Sequence, residues 1–397
     1  MSNLILFDPL EIRETLLPLS FTRPVAKIRV GILSIDEKWK KRINTSVSFL
    51  TQDYLSEKYK LSVTNDNLFI NGALCPNEAL LKAITTLEKE SCLKKDGLLL
   101  AVKTSSNSIE DTSQWNTIEF NEECNLIDEI WKIFQLNAQE IKYDFDLITQ
   151  GRTSQPLSDP HTIVYGKENL FIEEGATIKA AVINAENGPV YIGKNTYIHE
   201  GAIIKGAFAL CENSHVNIGA KIRGDTTIGP HSKIGGEVSN SVIFGNSNKG
   251  HEGFLGNSVL GEWCNIGADT NTSNLKNNYA DVKIWNYTKG GFKTTKQMFC
   301  GLIMGDHSKC GINTMFNTGT VVGVSANIFG PGFPRNFVPS FSWGGAAGFT
   351  TFQLRKVYEV TEKVMERKNI DFDTVEKNIL DKVFAMSAKY RVWENKD

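Results

Sequence analysis

The sequence predicts an α/β domain, then a left-handed parallel β-helix, then a helical tail, and three observations carry that prediction. Short apolar strands alternate with helix-spaced segments as far as about Gly151, the pattern of an α/β unit. From Ile192 to Ile234 an aliphatic residue returns every six positions: Ile192, Ile198, Ile204, Leu210, Val216, Ile222, Ile228 and Ile234. A period of six fits neither a helix at 3.6 nor a strand at 2, and marks a repeat in which three short strands close one triangular coil. Beyond the proline-broken stretch PGFPRNFVPSFSWGG, helical spacing resumes. The expected domains are therefore residues 1–152, 153–345 and 346–397.

In the first domain, Leu4 to Phe7 reads as a buried strand stopped by Asp8-Pro9. The next stretch, LLPLSFTRPVAKIRVGILSIDEKW, carries Arg23, Lys27 and Arg29 beside an expected strand from Val30 to Ile35. Cations in a loop after a strand suit a nucleotide phosphate, although surface cations beside a buried strand read the same way. Phe69-Ile70-Asn71-Gly72 reads as a strand entering a turn, Asn77 to Leu87 as a helix, and Leu98 to Val102 as a strand. Thr104 to Gln114 is a polar loop, Leu126 to Leu136 an expected amphipathic helix, and Arg152 to Pro160 the linker.

In the coil the phase slips after Ile234 and is expected to resume as Val242, Asn248, Phe254, Leu260 and Ile266, with Asn248 as a polar interior position. It returns as Met304, Cys310, Phe316, Val322 and Ile328. Thr272 to Gly301, between the two runs, reads as a long polar loop, and such loops are often functional. In the tail, Phe352 to Arg367 is helix-spaced and Asp373 with Glu376 signals a second helix start.

A net charge of −2 argues against a nucleic-acid binder that relies on neutralising phosphates. Seven scattered cysteines form no CxxC pair or disulfide framework, which fits a reducing cytoplasm. No signal peptide or membrane span is expected. Chemistry is expected around SNSVIFGNSNKGHEGFLGNSVLGEWCNIGADTNTSNLKNN, where His251 stands next to glycine at a coil edge. Histidine's reference pKa of roughly 6.5 leaves a neutral fraction that can take a proton from an attacking amine. Five other histidines occur, and no HExxH or Cys/His pairing specifies a metal.

NSNKGHEGFLGNSVLGEWCNIGADTNTSN resembles the acetyltransferase half of the bifunctional N-acetylglucosamine-1-phosphate uridyltransferase and glucosamine-1-phosphate acetyltransferase family. Lys249-Gly250-His251 stands at that family's K-A-G-H motif, Phe254-Leu255-Gly256 at Y-L-G, Asn265-Ile266-Gly267-Ala268 at N-I-G-A, and Asn274-Leu275 at its asparagine-tyrosine pair. The resemblance implies His251 as the base and Glu237 as the group that orients it. It implies Arg223, Lys249, Phe254, Asn265, Asn274 and Lys276 as substrate contacts, and Ala268, Gly311 and Gly323 along acetyl-CoA. Both family tyrosines are replaced, by Phe254 and Leu275.

LLPLSFTRPVAKI resembles the sugar nucleotidyltransferases, whose R-L-x-P-L-T-x-x-x-P-K-x-L it parallels. That implies a nucleotidyltransferase-like first domain with Arg23, Lys27, Arg29, Asn71 and Gly72 at the nucleotide, and Mg²⁺ if it is active. EIRET replaces the glycine-rich phosphate loop, and Asn71-Gly72-Ala73 replaces the family's metal-binding aspartate. Taken together, the chain resembles a divergent, Bacteroidetes-type branch of the bifunctional family. The resemblance implies a cytoplasmic homotrimer that takes an amino-sugar phosphate, acetyl-CoA and an NTP for nucleotide-sugar and cell-envelope synthesis. Rival readings are a nucleotidyltransferase only, a non-catalytic sugar-nucleotide-binding protein, and a γ-type carbonic anhydrase built on His215, His231 and His251.

Overall fold

A computed structural model describes residues 2–111, 113 and 115–394; Met1, two residues of the polar tract (Thr112 and Gln114) and the last three of the tail lie outside it. Two compact units result, one of Met1–Leu16, Thr22–Ile28 and Leu33–Ile130, the other of Leu17–Phe21, Arg29–Ile32 and Trp131–Asp397.

In the first unit a six-stranded sheet runs in the order Val47–Leu50, Asn3–Phe7, Asn67–Asn71, Leu98–Thr104, Ser91–Lys95, Asn116–Glu119. The first three pair in parallel and the next two join antiparallel, so the sheet is mixed. Its strands are buried because Leu4, Ile5, Phe69, Cys92 and Val102 fill its faces. The helix Glu78–Thr85 starts where expected, with the Asn77 side chain accepting the Leu80 amide.

Two expectations for the N-terminal half fail. No strand forms over Val30 to Ile35; Gly31 turns at positive φ and the helix Ile35–Ile43 starts at once under a Ser34/Glu37 capping box. Helix does not span Leu126 to Leu136 either. Leu126 pairs with Leu74 as a strand, and helix appears only over Lys132–Gln135 and Asn137–Thr149.

The second unit is the parallel β-helix. One face stacks strands from Leu170–Ile172 to Phe337–Val338, a second from Thr177–Ile178 to Ser342–Gly345, and a third from Ile163–Tyr165 to Phe254–Gly256. Rungs register residue on residue: Ile198 lies on Val216, and Val216 on Ile234. The interior is the aliphatic column read from the sequence, with Ile192 to Ile234 all buried. Each such side chain contributes about 1.5–3 kcal/mol of burial.

After Ile234 the interior column differs from the expected one. Ile243, Lys249 and Leu255 point inward in place of Val242, Asn248 and Phe254. The rungs shorten here, so that Ile222 lies on Val238, Ile228 on Ile243 and Ile234 on Lys249. Since alternate residues of a strand face opposite ways, a one-residue offset exchanges inside for outside. Thr272 to Gly301 is not plain loop: Lys283–Asn286 and Gly291–Thr294 form a hairpin within it. The tail helices Leu354–Glu366 and Thr374–Ser387 form as expected, and Asp373 accepts the Glu376 amide at 2.9 Å.

Candidate functional site

The site is a corner of the coil between its second and third faces. The second-face strands His215–Val216, Lys233–Ile234, Asn248–Lys249, Asn265–Ile266 and Lys309–Cys310 stack on one another, so the residues after each form a column along the axis. Asn217, Gly235, Gly250, Gly267 and Gly311 head its successive levels, and His251 and Ala268 stand one level apart in it. The Asp269 amide donates to Glu252 O, and the Asn313 amide to Ala268 O.

His251 is exposed at this corner and lines a cavity of about 360 Å³ with His199, Asn217, Ile218, Gly236, Gly250 and Glu252. Beneath it Lys249 is 1% exposed, and its Nζ donates to His251 O at 2.6 Å. Burial lowers this ammonium's pKa to about 8, against the opposing pull of Glu252. The expected role of Lys249 as a substrate contact is thus corrected: its ammonium lies inside the coil and holds the backbone of the turn. Gly236 leaves room for it, since a Cβ there would lie 2.9 Å from Nζ.

The third face supplies the next group. Lys221, Glu237 and Phe254 occupy one outward row, and the Phe254 amide donates to Asn271 Oδ1. Arg223 Nη1 donates to Glu237 Oε1 at 3.1 Å, and Lys221 pairs with Glu252 at 3.4 Å. Asn274 donates to Asn257 at 2.7 Å and meets Phe254 around Gly256, where a Cβ would lie 2.5 Å from the Phe254 ring and 2.7 Å from Asn274 Nδ2.

Arg223, Glu237, Phe254 and Asn274 therefore share the face that follows the His251 corner. Glu237 makes no hydrogen bond to His251; its carboxylate faces Arg223. Asn265 is exposed on the second face, and Lys276 donates to Asp281 O. Ala268 and Gly311 lie in the corner column, whereas Gly323 follows a first-face strand and turns at a different corner. The hexad phase explains the difference, because 311 to 323 is two sides of the triangle and not three.

Sequence reasoning missed His199, Asn217 and Glu252. The signal was the eighteen-residue rung, which carries 199 to 217 and on to 235 in the same column. Among the described residues no group of three or more His, Cys, Asp or Glu could hold a metal, so His215, His231 and His251 do not cluster within the chain.

In the first unit Asp8, just past the strand Asn3–Phe7, accepts the Val25 amide at 2.8 Å and Thr51 Oγ1 at 2.6 Å, and pairs with Arg13 at 3.5 Å. Burial raises its pKa, opposed by these hydrogen bonds and by Arg13. Lys27 pairs with Asp36 at 2.6 Å, and Arg23 is 4% exposed. Arg29 is corrected as a nucleotide contact, because its guanidinium donates to Phe244 O at 3.2 Å and to Ile32 O within the second unit. Asn71 is corrected too: fully buried, its amide donates to Leu99 O and accepts the Ala73 amide, while the Gly72 amide donates to Phe7 O. A neutral amide spent on backbone does not fit a Mg²⁺ ligand at this position.

Residues 4–153 match the family model described as sugar nucleotidyl transferase, which places the first domain with that family. The chain is 35% identical over 106 residues to the bifunctional protein GlmU of Methanocaldococcus jannaschii, covering 26% of this chain and 25% of that protein. It is 33% identical over 110 residues to a bifunctional sugar-1-phosphate nucleotidylyltransferase/acetyltransferase of Sulfurisphaera tokodaii, covering 27% of each. The matched part thus spans about a quarter of the length of these relatives. Among solved structures, the polysialic-acid-specific acetyltransferase NeuO matches at 17% identity and a TM-score of 0.26, over 49% of this chain and 83% of that one. No helix among the described residues is long and apolar enough to cross a membrane.

Proposed function

We propose that the coil is an acetyl-CoA-dependent N-acetyltransferase for an amino-sugar phosphate, joined to a sugar nucleotidyltransferase domain, and that the two serve nucleotide-sugar synthesis for the cell envelope. The observation that carries this reading is the exposed His251 in the corner cavity, one level from Ala268 and beside the cationic third face. The free amine attacks the thioester carbonyl, the C–N bond forms, His251 takes the amine proton, and the C–S bond breaks to release the CoA thiolate. Lys221 and Arg223 supply cationic charge for the sugar phosphate. Lys249 fixes the turn that carries the base.

The donor lies along the column of Ala268 and Gly311. Ile218 and Ile312, each 71% exposed on that column, support a homotrimer in which a neighbouring copy covers it. Free cysteines throughout support the cytoplasm as its compartment. The test is thiol release from acetyl-CoA with glucosamine 1-phosphate. His251→Ala is expected to lower kcat about 100-fold or more with the fold intact, and a variant that keeps the wild-type rate would remove His251 from the reaction.

For the first domain a second reading has an observation of its own. Lys27 and Arg13 are already paired with Asp36 and Asp8, and Asn71 is spent on backbone. Such a site favours holding a nucleotide sugar over transferring a nucleotidyl group. Pyrophosphate formed from UTP and N-acetylglucosamine 1-phosphate supports transfer; its absence with every common NTP supports the binding reading.

A further inference from the structure

A second cavity, of about 980 Å³, lies at the far end of the β-helix, away from the His251 corner. The hairpin Lys283–Asn286/Gly291–Thr294, the last first-face strand Phe337–Val338, the hairpin Ser342–Gly345/Gly348–Thr351 and the turn Ala388–Tyr390 enclose it. Counted along the first face from Val259–Glu262, Phe337–Val338 is three strands further on, about 14 Å at ~4.8 Å per strand. Nothing in the acetyl-transfer reading uses it.

Its lining has three properties that together select a ligand. Flat aromatic surface dominates: Trp285 stacks on Phe337 at 4.0 Å and 7°, Tyr390 stands edge-on to both, and Trp393 lies 6.0 Å from Phe349. The charges are of one sign, since Lys289, Arg335 and Lys389 line the cavity, all exposed, and no Asp or Glu does. Two donors stand without a partner: the hydroxyl of Tyr287, a residue 7% exposed, and the indole N–H of Trp285. A buried donor left unpaired costs about 1–3 kcal/mol, so both are poised for an acceptor.

We propose that this cavity binds a nucleoside phosphate. The aromatic walls stack the base, Trp285 and Tyr287 donate to its ring oxygens or nitrogens, and the three cations hold the phosphates. The size suits a ligand with both parts, since small-molecule sites commonly enclose about 300–1,000 Å³. Two sources carry this chemistry, a uridine nucleotide or its sugar conjugate and the adenosine phosphate end of CoA.

The experiment is photolabelling of the full-length protein with azido-uridine diphosphate and with azido-adenosine diphosphate, followed by peptide mapping. Label is expected in the peptides around Trp285 to Phe292 or Lys389 to Trp393. In the Arg335→Ala/Lys389→Ala double variant, which changes only exposed residues, that label is expected to fall about tenfold. Competition by UDP-N-acetylglucosamine or by CoA then tells the two sources apart. Label confined to residues 1–153 or to the Gly250–Gly311 column, or cavity label unchanged in the double variant, overturns the proposal. The outcome is separable from that of the acetyl-transfer reading, because His251→Ala removes only the latter.

Discussion

Two stretches of one coil, Ile192 to Ile234 and Gly235 to Thr272, share a ladder and differ in what they enclose. In the first, rungs advance by eighteen residues, 198 to 216 to 234, and every interior residue is aliphatic. In the second, the advance from 234 to 249 is fifteen and the interior residue is a lysine. The shortened rung draws the corner in so that a turn carbonyl, His251 O, meets the buried ammonium. Regular rungs make the scaffold, and the shortened one makes room for a charge inside and a functional residue outside.

Ile234→Lys breaks this comparison most severely. It puts an ammonium one level from Lys249 at a position that is wholly buried and stacked on Val216. An uncompensated buried charge of this kind is expected to cost about 4 kcal/mol or more. Chemical denaturation followed by circular dichroism reads the loss. A variant as stable as wild type would show that the regular rungs accommodate charge as readily as the short one.

Lys249→Met sharpens the same contrast with the opposite sign. Its folded pKa is depressed from 10.5 to about 8, so between those values the unfolded chain binds more protons and stability rises with pH. Below about pH 8 the lysine is charged in both states and its burial penalty is fully felt. The shift of about 2.5 units corresponds to up to about 3 kcal/mol. Met at 249 is therefore expected to stabilise the coil at pH 7 by up to that amount and to abolish the rise between pH 8 and 10.5. Acetyl transfer is expected to fall, because the turn loses its anchor. If the pH dependence is the same with Met, Lys249 is not the titrating group.

The first stretch was fully legible in the sequence because one interior position per strand repeats without interruption. Asn248 and Phe254 were misplaced because a rung can lose residues at a corner without any mark in the hydrophobic pattern, and Lys249 does not read as interior. His251 was legible through its motif. His199, Asn217 and Glu252 were not, since only the stacking of rungs brings them to it. In the first unit Asn71 and Arg29 looked available by residue type. Their commitment to the carbonyls of Leu99 and Phe244 is a tertiary fact that no local pattern carries.

The gentlest test falls on the outer surface, where the two stretches meet at Lys221 and Glu252. Their ion pair is 3.4 Å long and both side chains are at least half exposed, so water competes for each charge. Exposed pairs of this kind contribute about 0–1 kcal/mol, and Lys221→Ala is expected to change stability by no more than that. Its effect should instead fall on substrate. Lys221 and Arg223 are neighbouring cations of the third face, and removing one weakens attraction for a phosphate without touching the base. KM for glucosamine 1-phosphate is then expected to rise about fivefold with kcat unchanged, and the difference from wild type to shrink as salt screens the remaining charge. A fall in kcat at constant KM would show that Lys221 acts on the reacting atoms, and would extend the functional part of the coil below the shortened rung into the regular one.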